Sequence, residues 1–206
     1  MMAYSRCSSR MVLLTNLSIL CILLSACAET PAPRSDSYHT VSEDMERNRE
    51  KAHTLNAQGI RLLEVRKFEE AEAAFKEALA ADVMCGPAHN NLGKTYFHRG
   101  KYYLAAWEFQ YAAKLLPNHP EPRNNLGLVF ETVGKLDNAV DEYGKALTLE
   151  PDNPNLLGNL ARARIRRGDR VPEVRQLLED LILKDSRPEW VEWARKTLPT
   201  LPRTDK

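Results

Sequence analysis

No stretch of this chain is apolar for long enough to cross a bilayer: the longest, Met11 to Leu24, runs for about 14 residues where a spanning helix needs roughly 20. Charge of one sign is lacking too. With 29 basic side chains against 28 acidic ones, no net field steers the molecule onto nucleic acid or an acidic lipid surface, so electrostatic recognition has to be local. Of the four cysteines, Cys7, Cys21, Cys27 and Cys85, only the last lies beyond residue 27, which leaves no disulfide framework for the body of the chain. The usual marks of catalysis are missing as well. The five histidines include no pair at i and i+4 and no HExxH, there is no Gly-x-Ser-x-Gly elbow, and Cys85 has no evident His and Asn partners. Gly93-Lys94-Thr95 ends like a phosphate loop, but Ala88 stands where its first glycine belongs. The expectation is a protein that is not an enzyme and needs no cofactor or metal.

Arg6 and Arg10, with no acid nearby, precede the short apolar stretch, which is the build of a secretory signal. Leu24-Ser25-Ala26-Cys27 follows directly. This resembles the lipobox of bacterial lipoproteins, in which residues 1–26 would be cleaved and Cys27 acylated. In that family an Asp after the cysteine holds the protein at the inner membrane; here the residue is Ala28, so the resemblance implies the periplasmic face of the outer membrane. Two or more acyl chains anchor stably where one is marginal, since each buried CH₂ contributes about 0.8 kcal/mol. Residues 27–41 carry Pro and Ser without periodicity and read as a flexible tether spanning about 20 Å as a coil.

The body of the chain repeats itself every 34 residues. Gly59, Gly93 and Gly127 recur at that interval, as do Ala71, Ala105 and Ala139, then Phe75, Phe109 and Tyr143, then Ala78, Ala112 and Ala146. Leu92 and Leu126 precede their glycines, Tyr96 and Phe130 follow, and Pro117 and Pro151 close their units. Each unit holds two apolar-periodic stretches broken near Gly100 or Gly134, such as Ala88 to Arg99 and Tyr102 to Leu116, which predicts a helix hairpin. Small residues let the paired helices approach closely, aromatics fill the space between neighbours, and a hairpin unable to bury its own apolar face must stack on others. The pattern resembles the tetratricopeptide repeat (TPR) over about residues 52–187. It implies an all-α right-handed superhelical solenoid of about four repeats, 52–85, 86–119, 120–153 and a degenerate 154–187, within a domain at 42–187.

The end units depart from the pattern. Unit one has Gln58 for Leu and Val83 for Pro, and Thr40 with Glu43 offers a capping box for an earlier start. In unit four the small columns fall on Glu173 and Asp180, and a one-residue shift restores helical spacing through Val174, Leu178 and Leu181. Ser186 to Glu189 reads as a second capping box, opening a capping helix at 188–198 with Trp190 and Trp193; 199–206 reads as a frayed tail. Cys85 reads as a small residue between helices. The acidic pairs Glu69-Glu70 and Asp141-Glu142 fall on outer faces of second helices, where solvation is expected.

In TPR proteins the groove is lined by the first helix of each repeat. By matching columns, the resemblance places Asn56, Asn90 and Asn124 there, with Lys94, Phe97, His98, Leu128, Glu131, Arg162, Ile165 and Arg166. An amide ladder can hydrogen-bond a peptide backbone; equally, Asn is common at this point of the repeat, with Asn91, Asn125 and Asn159 in the usual column. The five arginines Arg162, Arg164, Arg166, Arg167 and Arg170 could clamp a carboxylate, or form a solvated face beside Asp169, Glu173 and Glu179. The expected partner is a peptide segment of another envelope protein, with the membrane reached through the lipid on Cys27 and no nucleic acid. The alternative is a self-association module that dimerises through the last repeat or the Trp190 helix.

Overall fold

The computed structural model describes residues 37–202, with side chains from residue 48 on. The expected signal segment, Cys27 and the tether up to residue 36 lie outside the described residues. Within them the protein is all helix: α1 (Ser37–Glu64), α2 (Phe68–Ala81), α3 (Gly86–His98), α4 (Tyr102–Leu115), α5 (Pro120–Thr132), α6 (Leu136–Leu149), α7 (Pro154–Arg167), α8 (Pro172–Lys184) and α9 (Pro188–Thr197), closed by a 3₁₀ turn at Leu198–Thr200. No described helix is long and apolar enough to cross a membrane.

The pairs α1/α2, α3/α4, α5/α6 and α7/α8 fall at the four units, and α3 to α8 each pack on the helix before and the helix after, with α9 packed on α8. Three columns build this. Phe75, Phe109 and Tyr143 are fully buried, each aimed at the glycine of the partner helix. A Cβ at Gly59, Gly93 or Gly127 would stand 2.5, 2.7 or 2.7 Å from that ring, so glycine is what allows the contact. Burying one such ring contributes about 2–3 kcal/mol; Phe75 and Phe109 share a core with Leu92, Tyr96, Leu126 and Val129, and Tyr143 lies in the next one with Ala139, Val140 and Leu160. At the hairpin turns Gly100, Gly134 and Gly168 adopt φ of 70°, 77° and 101°, and Arg66 takes the same left-handed conformation at the corresponding place in unit one. Prolines open α5, α7, α8 and α9 at positions that need no amide donor. In unit four Val174, Leu178 and Leu181 are wholly buried, as the one-residue shift predicts, and they join Leu157, Ala161 and Ala194 in a C-terminal core. Cys85 is free and buried between helices with Ala52, Ala78 and Ala88, and burial pushes its thiol up from the ordinary value.

Four details depart from the sequence reading. Helix α1 begins at Ser37, which makes the last five residues of the expected tether helical and puts Thr40 inside a helix instead of at its cap. Ser186 does not cap α9: the N-cap residue is Arg187, with no side-chain cap, and Asp185 fixes the turn before the helix by accepting the Arg187 backbone N–H at 2.9 Å and its guanidinium. The expected frayed tail is docked as far as residue 202. Leu201 is buried in the C-terminal core, and the Arg175 guanidinium donates to the carbonyls of Leu198, Leu201 and Pro202, a contact between residues too far apart for local pattern to reveal. Glu142 is not solvated like its neighbour Asp141; it is largely covered, between Arg123 and Lys145.

Candidate functional site

The first helices of successive hairpins bring the column residues into line. Asn91 donates its side-chain amide to the Asn56 carboxamide oxygen at 3.0 Å, Asn125 to Asn90 at 3.0 Å, and Asn159 to Asn124 at 2.8 Å. The Asn56, Asn90 and Asn124 series is thus an inter-repeat ladder whose oxygens are already engaged by the next repeat. Thirty-four residues past Asn124 stands Gly158, and there the ladder stops. Trp190 of α9 covers that place, its ring so near that a Cβ on Gly158 would stand 2.8 Å from it.

Glu131, Arg162 and Arg166 form one ion cluster. The Arg162 guanidinium donates through Nε and Nη2 to the two Glu131 carboxylate oxygens at 2.8 and 2.9 Å, Arg166 Nη1 donates to Oε1 at 2.8 Å, and the Tyr143 hydroxyl donates to Oε2 at 2.9 Å. Glu131 is 3% exposed. Burial pushes its carboxyl up, but the hydrogen bonds from Arg162 and Arg166, the Arg162 charge and the Tyr143 hydroxyl outweigh burial and bring it down to about 2. Burial and the adjacent Glu131 charge push the Tyr143 phenol up, and the hydrogen bond to Glu131 holds Arg162 protonated. Arg162 therefore does clamp a carboxylate bidentately, with Arg166 adding a third bond, and the carboxylate belongs to the chain itself. Arg167 serves Asp137 and Asp169 in the same internal way. The other face of Arg162 lies over Trp190, 5.2 Å from the ring centroid, with Arg187 at 5.3 Å.

Lys94, Phe97, His98 and Leu128 come together differently. With Phe109 and Asn125 they line an open cleft of about 230 Å³ between α3 and α5. Lys94 pairs with Glu121 at the surface, Lys94 half-buried and Glu121 exposed, a pair worth less than about 1 kcal/mol. His98 is exposed and stacks on Phe68, ring centroids 5.4 Å apart, while Phe97 has one edge in the core and leans on Tyr102 at 5.6 Å. Ile165 packs partly buried on the C-terminal core and adds nothing to this cleft. Sequence reasoning missed Tyr143 and Trp190 as partners of the arginine cluster. The signal for Tyr143 was present: Glu131 is the one charged residue in a column of Leu63, Phe97 and Ile165, and a Tyr stands where the column has Phe75 and Phe109. Among the described residues no group of three His, Cys, Asp or Glu side chains could hold a metal.

Two family models, both described as tetratricopeptide repeat, match residues 56–120 and 133–192. The chain belongs to the tetratricopeptide repeat family. Among curated proteins none matches the sequence. Among solved structures, TPR folds superpose on it at low identity. The first TPR domain of Spaghetti (RPAP3), solved with the HSP90 peptide SRMEEVD, is 22% identical with a TM-score of 0.57, covering 59% of this chain and 96% of its own. PilF of Pseudomonas aeruginosa is 21% identical with a TM-score of 0.63, covering 73% of this chain and 72% of its own. The O-GlcNAc transferase of Thermobaculum terrenum is 22% identical with a TM-score of 0.61, covering 66% of this chain and 26% of its own. These likenesses establish the TPR fold.

Proposed function

We propose that this TPR protein is a non-catalytic adaptor, anchored through an acylated Cys27 at the periplasmic face of the outer membrane, that receives a peptide segment of another envelope protein in the cleft between α3 and α5. The observation that carries the reading is the cleft itself: Lys94 in a weakly held surface pair beside Phe97, His98 and Leu128 offers one exchangeable cation next to apolar and stacking surface. The acidic peptide on the RPAP3 domain supports the choice of ligand class. Asn90 and Asn124 give their carboxamide oxygens to the ladder and Arg162 and Arg166 bind Glu131, so these residues shape and stiffen the wall. Dimerisation through Trp190 is the weaker reading, since that ring is already packed against Gly158 and between two arginines.

Pull-down from envelope membranes with Lys94→Glu/His98→Glu tests the groove. The expected result is loss of a specific partner at unchanged melting temperature, and an unaltered partner set overturns the assignment. Incorporation of labelled palmitate that disappears in Cys27→Ser tests the anchor; label retained in that variant refutes it.

A further inference from the structure

Helix α4 differs from its siblings at the positions they give to solvent. At 34-residue spacing α2 carries Glu69, Glu70 and Ala73, and α6 carries Asp137, Asn138 and Asp141, all exposed. Helix α4 carries Tyr103, Leu104 and Trp107, which are 81%, 41% and 61% exposed. A repeat fold does not require apolar side chains at these positions, so the patch is a local addition to it. Beneath it lies a cavity of about 460 Å³, lined by Tyr102, Ala106 and Trp107 of α4, by Phe130 of α5, and by Val133 and Lys135 of the turn into α6. It shares α5 with the groove described above but uses another face of it, Val129 and Phe130 instead of Asn125 and Leu128.

One repeat earlier the same place is filled. There Glu72 of α2 pairs with Lys101 at 3.2 Å and with Arg99 and Lys76, and its side chain is largely covered. Thirty-four residues on, Lys101 becomes Lys135, Arg99 becomes Val133, and Glu72 becomes Ala106. The acid has gone and the lysine has stayed. Lys135 is the one charged residue lining the cavity, and no carboxylate among the described residues pairs with it.

We infer that this cavity is a second docking site, for a partner protein segment that inserts a bulky apolar side chain beside an acidic one. The apolar side chain lies against Tyr102, Trp107 and Phe130, and the carboxylate takes the place of the missing Glu72 opposite Lys135. A concave cavity of this volume takes side chains into it, whereas a bilayer surface meets protruding ones, and the unmatched lysine sets the sign of the partner's charge.

A phage-displayed random peptide library, panned on the purified protein, supplies the probe. Selected peptides are expected to combine Trp, Phe or Leu with an adjacent Asp or Glu, and to blue-shift the Trp107 fluorescence on binding. Lys135→Glu, an exposed position, should weaken them about tenfold, the effect of losing one charge-assisted contact, and exchanging the peptide's acid for Lys should restore binding. Ala106→Glu should refill the column, pair with Lys135 and abolish binding at unchanged or raised melting temperature. Lys94→Glu, in the other cleft, should change nothing, which separates this site from the groove. No enriched peptide, or peptides indifferent to both Lys135→Glu and Ala106→Glu, overturns the inference. So does a patch that, in a Trp107→Ala comparison, binds only phosphatidylglycerol vesicles or only a second copy of the chain.

Discussion

Glu131 is held far below the ordinary carboxylate value by Arg162, Arg166 and Tyr143, and this makes a measurable demand on stability as pH falls. A carboxyl at 4.5 in the unfolded chain and about 2 in the folded one favours folding by up to about 3 kcal/mol while ionised in both states. Because the folded value is the depressed one, the contribution is complete above pH 4.5, declines between pH 4.5 and 2, and is gone below 2. Glu131→Gln keeps the shape and removes the charge. Urea unfolding of the two proteins followed by circular dichroism isolates this site, because every other carboxylate cancels in the difference. The wild type should lose about 2–3 kcal/mol more than the variant between pH 7 and pH 2. Stability curves that run parallel across that window would refute the cluster as drawn.

Further predictions concern packing. Gly93→Ala places a methyl 2.7 Å from the Phe109 ring and should cost more than about 2 kcal/mol in thermal melting, whereas Gly144→Ala meets nothing within 4 Å and should gain about 0.5–1 kcal/mol from helix propensity. Trp190→Ala removes the ring that seats α9 on Gly158, and should cost about 3 kcal/mol, with the amides of α9 the first to lose protection in hydrogen exchange. Asn125→Ala breaks one rung and leaves the Asn90 oxygen without its donor, for a loss of about 1–2 kcal/mol in denaturant unfolding.

The period of 34 made the helix pairs, their order and the Gly-to-ring contacts legible, because each depends on a residue type recurring at a fixed place. What the repeat does not share was harder to read. The bond from Asn91 to Asn56 spans 35 residues, so two neighbouring columns had to be considered together to see that the ladder is internal. Arg162 looked available for a foreign carboxylate because its partner, Glu131, lies 31 residues away on another helix. Gly158 in the asparagine column and Ala106 in the Glu72 column were visible breaks, yet their meaning depends on what fills or fails to fill the vacated space: Trp190 in the first case and an open cavity in the second. The cleft residues Lys94, Phe97, His98 and Leu128 were found by column position alone, since neighbouring repeats present equivalent faces of their first helices.

The central claim is that the α3/α5 cleft receives a partner protein, and a photo-crosslinking side chain placed at the exposed His98 position in living cells tests it most directly. The account predicts one dominant adduct with an envelope protein, lost when Lys94→Glu is added and absent when the crosslinker stands at the equally exposed Arg195. The same adducts from both positions, or adducts at His98 untouched by Lys94→Glu, would contradict it.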